Sequence, residues 1–197
     1  MKNYKIIAIC GPDGAGKTTL INRIQKNIYG KHIHYVTKRK HICSDMVSRY
    51  LNEDESKNVK NIRDELNSIG CAFDFLQYFD EEINDYLHDG NIIICDRYSY
   101  CYLAYSIQVG KTRNHVFSLL KNLPQADLII YVENDIEVLK ERLKQKNEAD
   151  RNLEGFMAGY ETLFKEISVP VYRIKNDQLD KSVFEMEQII SKAIKFI

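Results

Sequence analysis

Apolar residues in this chain fall into two alternating rhythms. Short β-branched runs are followed by longer segments in which apolar residues recur at helical spacing. The run Lys5–Cys10, closed by Gly11-Pro12, predicts a buried strand. Lys17 to Ile28 follows as a helix, with Leu20, Ile21, Ile24 and Ile28 on one face. His32–Val36 predicts a second strand. The polar stretch Ser44 to Asp64 predicts one or two helices with a solvated break near Asn52–Asn58. Asn67 to His88 predicts a long helix stopped by Asp89-Gly90. Asn91–Cys95 is the most hydrophobic strand and ends in Asp96. Helices over Tyr100–Gln108 and Asn114–Asn122 precede a fourth strand at Asp127–Val132. Asp135 then caps a basic helix through Lys146, and helix resumes from Leu153 to Ile167. Val169–Ile174 is a fifth strand before a last helix to Ile197. This alternation predicts an α/β chain with a five-stranded parallel sheet covered by helices on both faces. It shows no linker and no internal repeat, so one domain is expected over 1–197.

Composition narrows the classes of partner. Lys plus Arg and Asp plus Glu are each 28, giving a formal net charge of zero over 197 residues. Such a chain has no global field for a polyanion, which argues against a nucleic-acid or membrane-surface binder. Any anion site must be built locally. The first apolar run is too short for a signal-peptide core, and no stretch approaches a membrane span. The five cysteines (Cys10, Cys43, Cys71, Cys95, Cys101) form no CxxC pair, which fits reduced thiols in a cytoplasmic protein. His32 and His34 share a strand face without further ligands, a weak metal pattern.

Gly11-Pro12-Asp13-Gly14-Ala15-Gly16-Lys17-Thr18 fits G-x-x-x-x-G-K-[ST] between a predicted strand and a predicted helix. The glycines let the backbone wrap until its N–H groups converge on phosphates, and the helix N-terminus adds partial positive charge. Gly11, Gly14, Ala15, Gly16 and Thr19 belong to this cradle, with Lys17 on the β/γ oxygens and Thr18 on Mg²⁺. The pattern points to a bound nucleoside triphosphate. Asp96, at the end of the most hydrophobic strand, is placed to reach the same Mg²⁺ through water.

Three segments, in order, resemble the thymidylate kinase family. The loop Gly-Pro-Asp-Gly-Ala-Gly-Lys-Thr-Thr carries an acid at Asp13. Asp96-Arg97-Tyr98 through Ala104-Tyr105 is similar to the family's DRY…AY segment. Arg142, Lys144, Lys146 and Asp150-Arg151 resemble its basic lid, here a short segment around 142–155. The resemblance implies a three-layer P-loop kinase fold that moves the γ-phosphoryl group of ATP, with Mg²⁺, onto a deoxynucleoside monophosphate, dTMP first. It implies Asp13 near the sugar 3′-hydroxyl, Asp96 on the metal, Arg97 on the acceptor phosphate, and Tyr105 against the deoxyribose where a 2′-hydroxyl would crowd. Arg142 and Arg151 would close over the ATP phosphates, Arg151 with a part in catalysis beside Lys17, Asp96 and Arg97. Pairing through helices, as in the family, makes a homodimer an expectation.

Two departures bear on the acceptor. Where the family has an Arg-Glu-Pro-Gly turn, this chain has Thr37-Lys38-Arg39-Lys40-His41, so Lys38 or Arg39 is a candidate phosphate contact. Where the family places a helix arginine, this chain has Phe75. Ala72, Leu76, Phe79, Ile83 and Leu87 form the expected core stripe of that helix. Cys71, Phe75 and Tyr78 form a second apolar ridge, either stacking the acceptor base, with Asp74 and Gln77 as polar readers, or forming a dimer surface.

Two other functions compete with this expectation. A deoxynucleoside kinase shares the fold but phosphorylates a neutral 5′-hydroxyl, which calls for a general base. The basic Lys38-Arg39-Lys40 cluster favours a phosphate acceptor, whereas Phe75 and Tyr78 lean toward a nucleoside. A nucleotide-binding protein with little kinase activity is the alternative of another class. An NKxD-like guanine reader is absent, since Lys175-Asn176-Asp177 has the wrong order, and the retained Lys17, Thr18, Asp96 and Arg97 argue against a dead site.

Overall fold

A computed structural model describes residues 3–37, 41–51, 57–148 and 152–194. In chain order the elements are β1 (Lys5–Cys10), α1 (Lys17–Ile24), β2 (Ile33–Val36), α2 (Cys43–Leu51), α3 (Lys57–Tyr78), β3 (Ile92–Asp96), α4 (Ser99–Val109), α5 (Arg113–Leu120), β4 (Leu128–Glu133), α6 (Ile136–Gln145), α7 (Leu153–Phe164), β5 (Val171–Lys175) and α8 (Leu179–Ile194). The strands form one parallel sheet in the order β2-β3-β1-β4-β5. The period-two geometry of a strand sorts β1 between two cores. Ile6, Ala8 and Cys10 face α3, α4 and α7, while Ile7 and Ile9 face α1, α6 and α8. All five are fully buried, so β1 is apolar on both faces, as a central parallel strand must be.

Element boundaries differ from the sequence expectation for local reasons. Helix α1 ends at Ile24 rather than Ile28, because the backbone tightens through Lys26 N–H to Arg23 O (3.2 Å) and Asn27 N–H to Ile24 O (2.9 Å). The Tyr35 hydroxyl then donates to Ile28 O at 2.7 Å and fixes the exit. Strand β5 starts at Val171, since Pro170 has no N–H for the ladder and contributes its carbonyl alone, to Ile129 N–H at 2.8 Å. Helix α3 begins at Lys57, ten residues before the expected start, and its α-helical part stops at Tyr78. A π-turn over Phe79–Ile83 and a 3₁₀ turn over Asn84–Tyr86 complete it.

Phe75 and Tyr78 of the second apolar ridge of α3 are core, not a binding or dimer surface, while Cys71 of that ridge is half-buried and borders a cleft. Phe75 and Tyr78 are 1% and 3% exposed. The Phe75 ring stacks on Tyr102 of α4 at 4.8 Å and meets Tyr98 edge-on at 5.4 Å. Helix α3 packs against α2, α4 and α5, and Ala72, Phe75, Tyr78 and Phe79 from both apolar stripes enter the core. Asp74 is likewise no base reader. It is buried and accepts from Ile42 N (3.0 Å), Cys43 N (2.7 Å), Ser44 N (3.0 Å) and Ser44 Oγ (2.6 Å), capping α2 from another helix. Burial pushes its carboxyl pKa up, but these hydrogen bonds outweigh it and hold the carboxyl below its ordinary value. Its stabilisation is therefore present at neutral pH and lost as pH falls through that lowered range. Gln77 is exposed and donates to Glu81 at 2.8 Å. No helix of the described residues is long and apolar enough to cross a membrane.

Candidate active site

The site gathers at the carboxyl ends of β1, β3 and β4, where the strand order reverses around β1. The turn from β1 into α1 is glycine-dependent at two positions. Gly11 has φ +144°, and a Cβ there would lie 2.1 Å from Val132 O. Gly16 has φ +90°, and its Cβ would lie 2.4 Å from Asn176 Nδ2. No other residue fits either place. Ala15 is buried behind the loop, and Thr19 lies exposed on the first turn of α1.

Lys17 opens α1, is 6% exposed, and donates from Nζ to Pro12 O at 2.6 Å. Its pKa is pushed down to about 8, by burial first and then by the charge of Arg97, with Asp13 and Asp96 opposing. One residue on, Thr18 Oγ1 donates to Asp96 Oδ2 at 2.8 Å. The other carboxylate oxygen, Asp96 Oδ1, is buried with no hydrogen-bond partner among the described residues. A hydroxyl beside a carboxylate with one spare buried oxygen fits a hard divalent cation that takes its other ligands from phosphate and water. Among the described residues, no group of three or more His, Cys, Asp or Glu side chains stands together as a protein-only cage.

Arg97 follows β3 directly, at φ +74°. Its N–H donates to Ile9 O at 2.9 Å, which ties the turn to β1. The guanidinium donates through Nη1 to Gly11 O at 3.2 Å and through Nη2 to the Asp13 carboxylate. Burial alone would lower its pKa, but Asp13 outweighs this and keeps it charged. Its Nε is buried and has no partner among the described residues. Below it, the Tyr160 hydroxyl lies between Gly11 N (3.3 Å) and Gly11 O (3.4 Å). The neighbouring Cys101 thiol is pulled below its ordinary value. Burial opposes this, but the hydrogen bond to Cys10 and the charge of Arg97 prevail.

The loop is braced from the far side. Asn176, just past β5, donates from Nδ2 to Ala15 O at 2.8 Å, and Asn134 donates to Asn176 O. Arg142 of α6 donates to Gly14 O at 3.3 Å and to Asn176 O at 3.1 Å.

Beside the loop lies a cleft of about 460 Å³. Asp13, Arg97 and Tyr105 line it, and so does His41 from the end of the basic cluster. Phe75 and Tyr78 do not, being packed behind Tyr102. Lys38, Arg39 and Arg151 lie outside the described residues. Residues that sequence reasoning left out also meet the site: Tyr160 and Asn176 at the loop, Asn67 and Gln108 in the cleft. A polar residue directly after a parallel strand was the available signal for Asn176.

Comparison with known proteins covers the same ground. The thymidylate kinase family model matches residues 9–186. A thymidylate kinase of Staphylococcus epidermidis is 26% identical over 94% of this chain and 96% of its own length. A probable thymidylate kinase of Staphylothermus marinus is 31% identical over 74% of this chain and 71% of its own length. The solved thymidylate kinase of Candida albicans superposes with a TM-score of 0.67 at 20% identity, covering 97% of this chain and 92% of that one. A deoxyadenosine kinase of M. mycoides gives 0.67 at 17% identity, covering 95% and 99%. These two likenesses show a shared fold. The sequence match reaches further, since it runs from β1 into α8 through the phosphate loop and Asp96-Arg97, and by it this chain belongs to the thymidylate kinase family.

Proposed function

We infer that this protein transfers the γ-phosphoryl group of ATP to dTMP, giving dTDP. The observation that carries the choice of a monophosphate acceptor is Arg97. A buried, charged guanidinium with one unpartnered N–H borders the cleft and is oriented by Gly11 and Asp13. An anionic phosphate needs such a cation and no general base, whereas a 5′-hydroxyl needs a base. The carboxylate beside the loop, Asp13, is already paired with Arg97.

Phosphoryl transfer of this kind is mostly positioning and charge neutralisation. The N–H groups of Gly11, Gly14, Ala15 and Gly16, with Thr19, cradle the ATP phosphates. Lys17 leaves Pro12 O for the β/γ oxygens, where the added negative charge raises its pKa and keeps it protonated. Arg97 holds the acceptor phosphate in line, Asp13 orients Arg97 and meets the sugar, and Tyr105 packs on the deoxyribose. Lys38 and Arg39 are assigned to the acceptor phosphate. Arg142 braces the loop, and Arg151 closes over the phosphates from a lid at 142–155 of this single domain. Thr18 and Asp96 would hold Mg²⁺, which when bound neutralises charge on the β- and γ-phosphates.

The test is ADP release with ATP, with and without Mg²⁺, against dTMP and thymidine. Turnover with dTMP alone, lost when Mg²⁺ is chelated, is expected. Turnover with thymidine but not dTMP would sink the assignment of Arg97. Two further readings go with this one. Ile62, Leu66 and Phe73 leave an exposed apolar stripe on α3, and Met46 adds to it from α2, which supports a homodimer. Light scattering at the monomer mass of 23.1 kDa would refute that. The five free cysteines fit a reducing, cytoplasmic setting.

A further inference from the structure

We propose that the carboxamides of Asn67 and Gln108 together read the Watson–Crick edge of the acceptor's base, and that this pair admits cytosine as well as thymine. The proposal rests on the reading of the cleft as a monophosphate acceptor site. Asn67 comes from α3 and Gln108 from the last turn of α4, and both line the cleft. Gln108 lies about 14 Å along α4 from the helix start next to Arg97, so the cleft runs along this helix from the guanidinium to the carboxamide. It also sits one turn beyond Tyr105, which ties it to the sugar end of the same cleft.

Two facts point these amides at a ligand. Asn67 Oδ1 and Gln108 Oε1 are both buried, and neither has a hydrogen-bond partner among the described residues. Such oxygens are costly and uncommon in native structures, and a donor on a bound molecule removes the cost. The described lining residues also include no lysine and a single guanidinium, Arg97, which is already engaged with Gly11 and Asp13. Among the described residues lining the cleft, no second guanidinium or ammonium is there to read the base.

The chemistry of the pair sets its selectivity. Asn67 Nδ2 donates to the Tyr105 hydroxyl at 3.4 Å, which orients Oδ1 as an acceptor. Gln108, unheld at its oxygen, can turn to offer either N–H or C=O. Thymine presents N3–H beside O4 and cytosine N3 beside N4–H₂, so in one pose donor and acceptor exchange places: Asn67 Oδ1 and a Gln108 N–H meet thymine, and both amides turned over, with the Tyr105 hydroxyl donating to Asn67 Oδ1, meet cytosine. A guanidinium in the same place would donate to O4 of thymine and meet the cytosine amino group donor to donor. Two carboxamides carry no such repulsion.

The experiment measures kcat/KM for dTMP and dCMP on the parent protein, Gln108→Met, Gln108→Arg and Asn67→Leu, with ATP binding as the check on folding. The parent is expected to use both nucleotides within about tenfold of each other. Gln108→Met and Asn67→Leu should each lose about 10- to 100-fold on both acceptors. Gln108→Arg should shift the ratio of kcat/KM for dTMP over dCMP by about 100-fold toward dTMP. A parent enzyme that uses dTMP but is a thousandfold or more worse with dCMP would overturn the proposal and leave the kinase assignment standing, as roughly that ratio marks a site built to reject the wrong group. Unchanged kinetics in whichever of these variants still binds ATP would overturn it too. Silence of the parent with both nucleotides would remove the monophosphate reading itself.

Discussion

Replacing Lys17 with methionine is expected to lower kcat by about 10²- to 10³-fold, the scale of losing one preorganised charge donor in a water-poor site. The same variant should reveal what the lysine costs the free protein. Below about pH 8 the buried ammonium is charged in both the folded and unfolded chain, and folding must desolvate it. Between about pH 8 and its ordinary value of 10.5, the folded protein has shed a proton that the unfolded chain still holds. Stability rises with pH wherever the unfolded state binds more protons. The parent should therefore gain about 3 kcal/mol relative to Lys17→Met between pH 7 and pH 10. Urea unfolding of the two proteins at both pH values measures this directly. Parallel behaviour across that window would mean that Lys17 keeps an ordinary pKa.

Arg97→Lys retains the charge yet should lose about 3 kcal/mol of transition-state stabilisation with dTMP, read as kcat/KM. The guanidinium reaches Gly11 O and Asp13 with two nitrogens and keeps Nε for a third direction. A lysine ammonium is one point and cannot span that fork. The companion variant Arg97→Gly separates chemistry from folding. At φ +74° glycine relieves a left-handed strain of about 1 kcal/mol, which offsets part of the cost of losing the buried guanidinium, so ATP binding should persist while activity falls at least as far. If Arg97→Lys turns over dTMP like the parent, the acceptor phosphate is held elsewhere.

Both arguments use residues legible in the sequence, because they sit where strand, turn and helix signals coincide. The three central strands were legible for the same reason: Ile6 to Cys10, Ile92 to Cys95 and Leu128 to Val132 are apolar without interruption, as buried parallel strands must be. The π-turn at Phe79–Ile83 was not, since Asp80, Glu81 and Glu82 continue an ordinary helical pattern. Helical spacing did identify a second ridge at Phe75 and Tyr78. It could not say that Tyr98 and Tyr102, from another helix, would cover that ridge. Asp74 looked like a reader because an acid amid aromatics invites a ligand, and its partners turned out to be backbone amides thirty residues earlier. Asn67, Gln108 and Tyr160 gave no local signal at all. Each acquires its place from contacts between elements distant in the chain.

Asn176 has a consequence for the life of the chain during synthesis. Its carboxamide holds the carbonyl of Ala15 across 161 residues, and β1 itself pairs only with strands that follow residues 91 and 127. The phosphate loop is therefore made first and shaped last. A nascent chain still within the ribosome at β5 carries the whole motif without the Asn176 brace on Ala15. Nucleotide capture then coincides with completion of the sheet, so ATP in the cell favours finished molecules over partial ones.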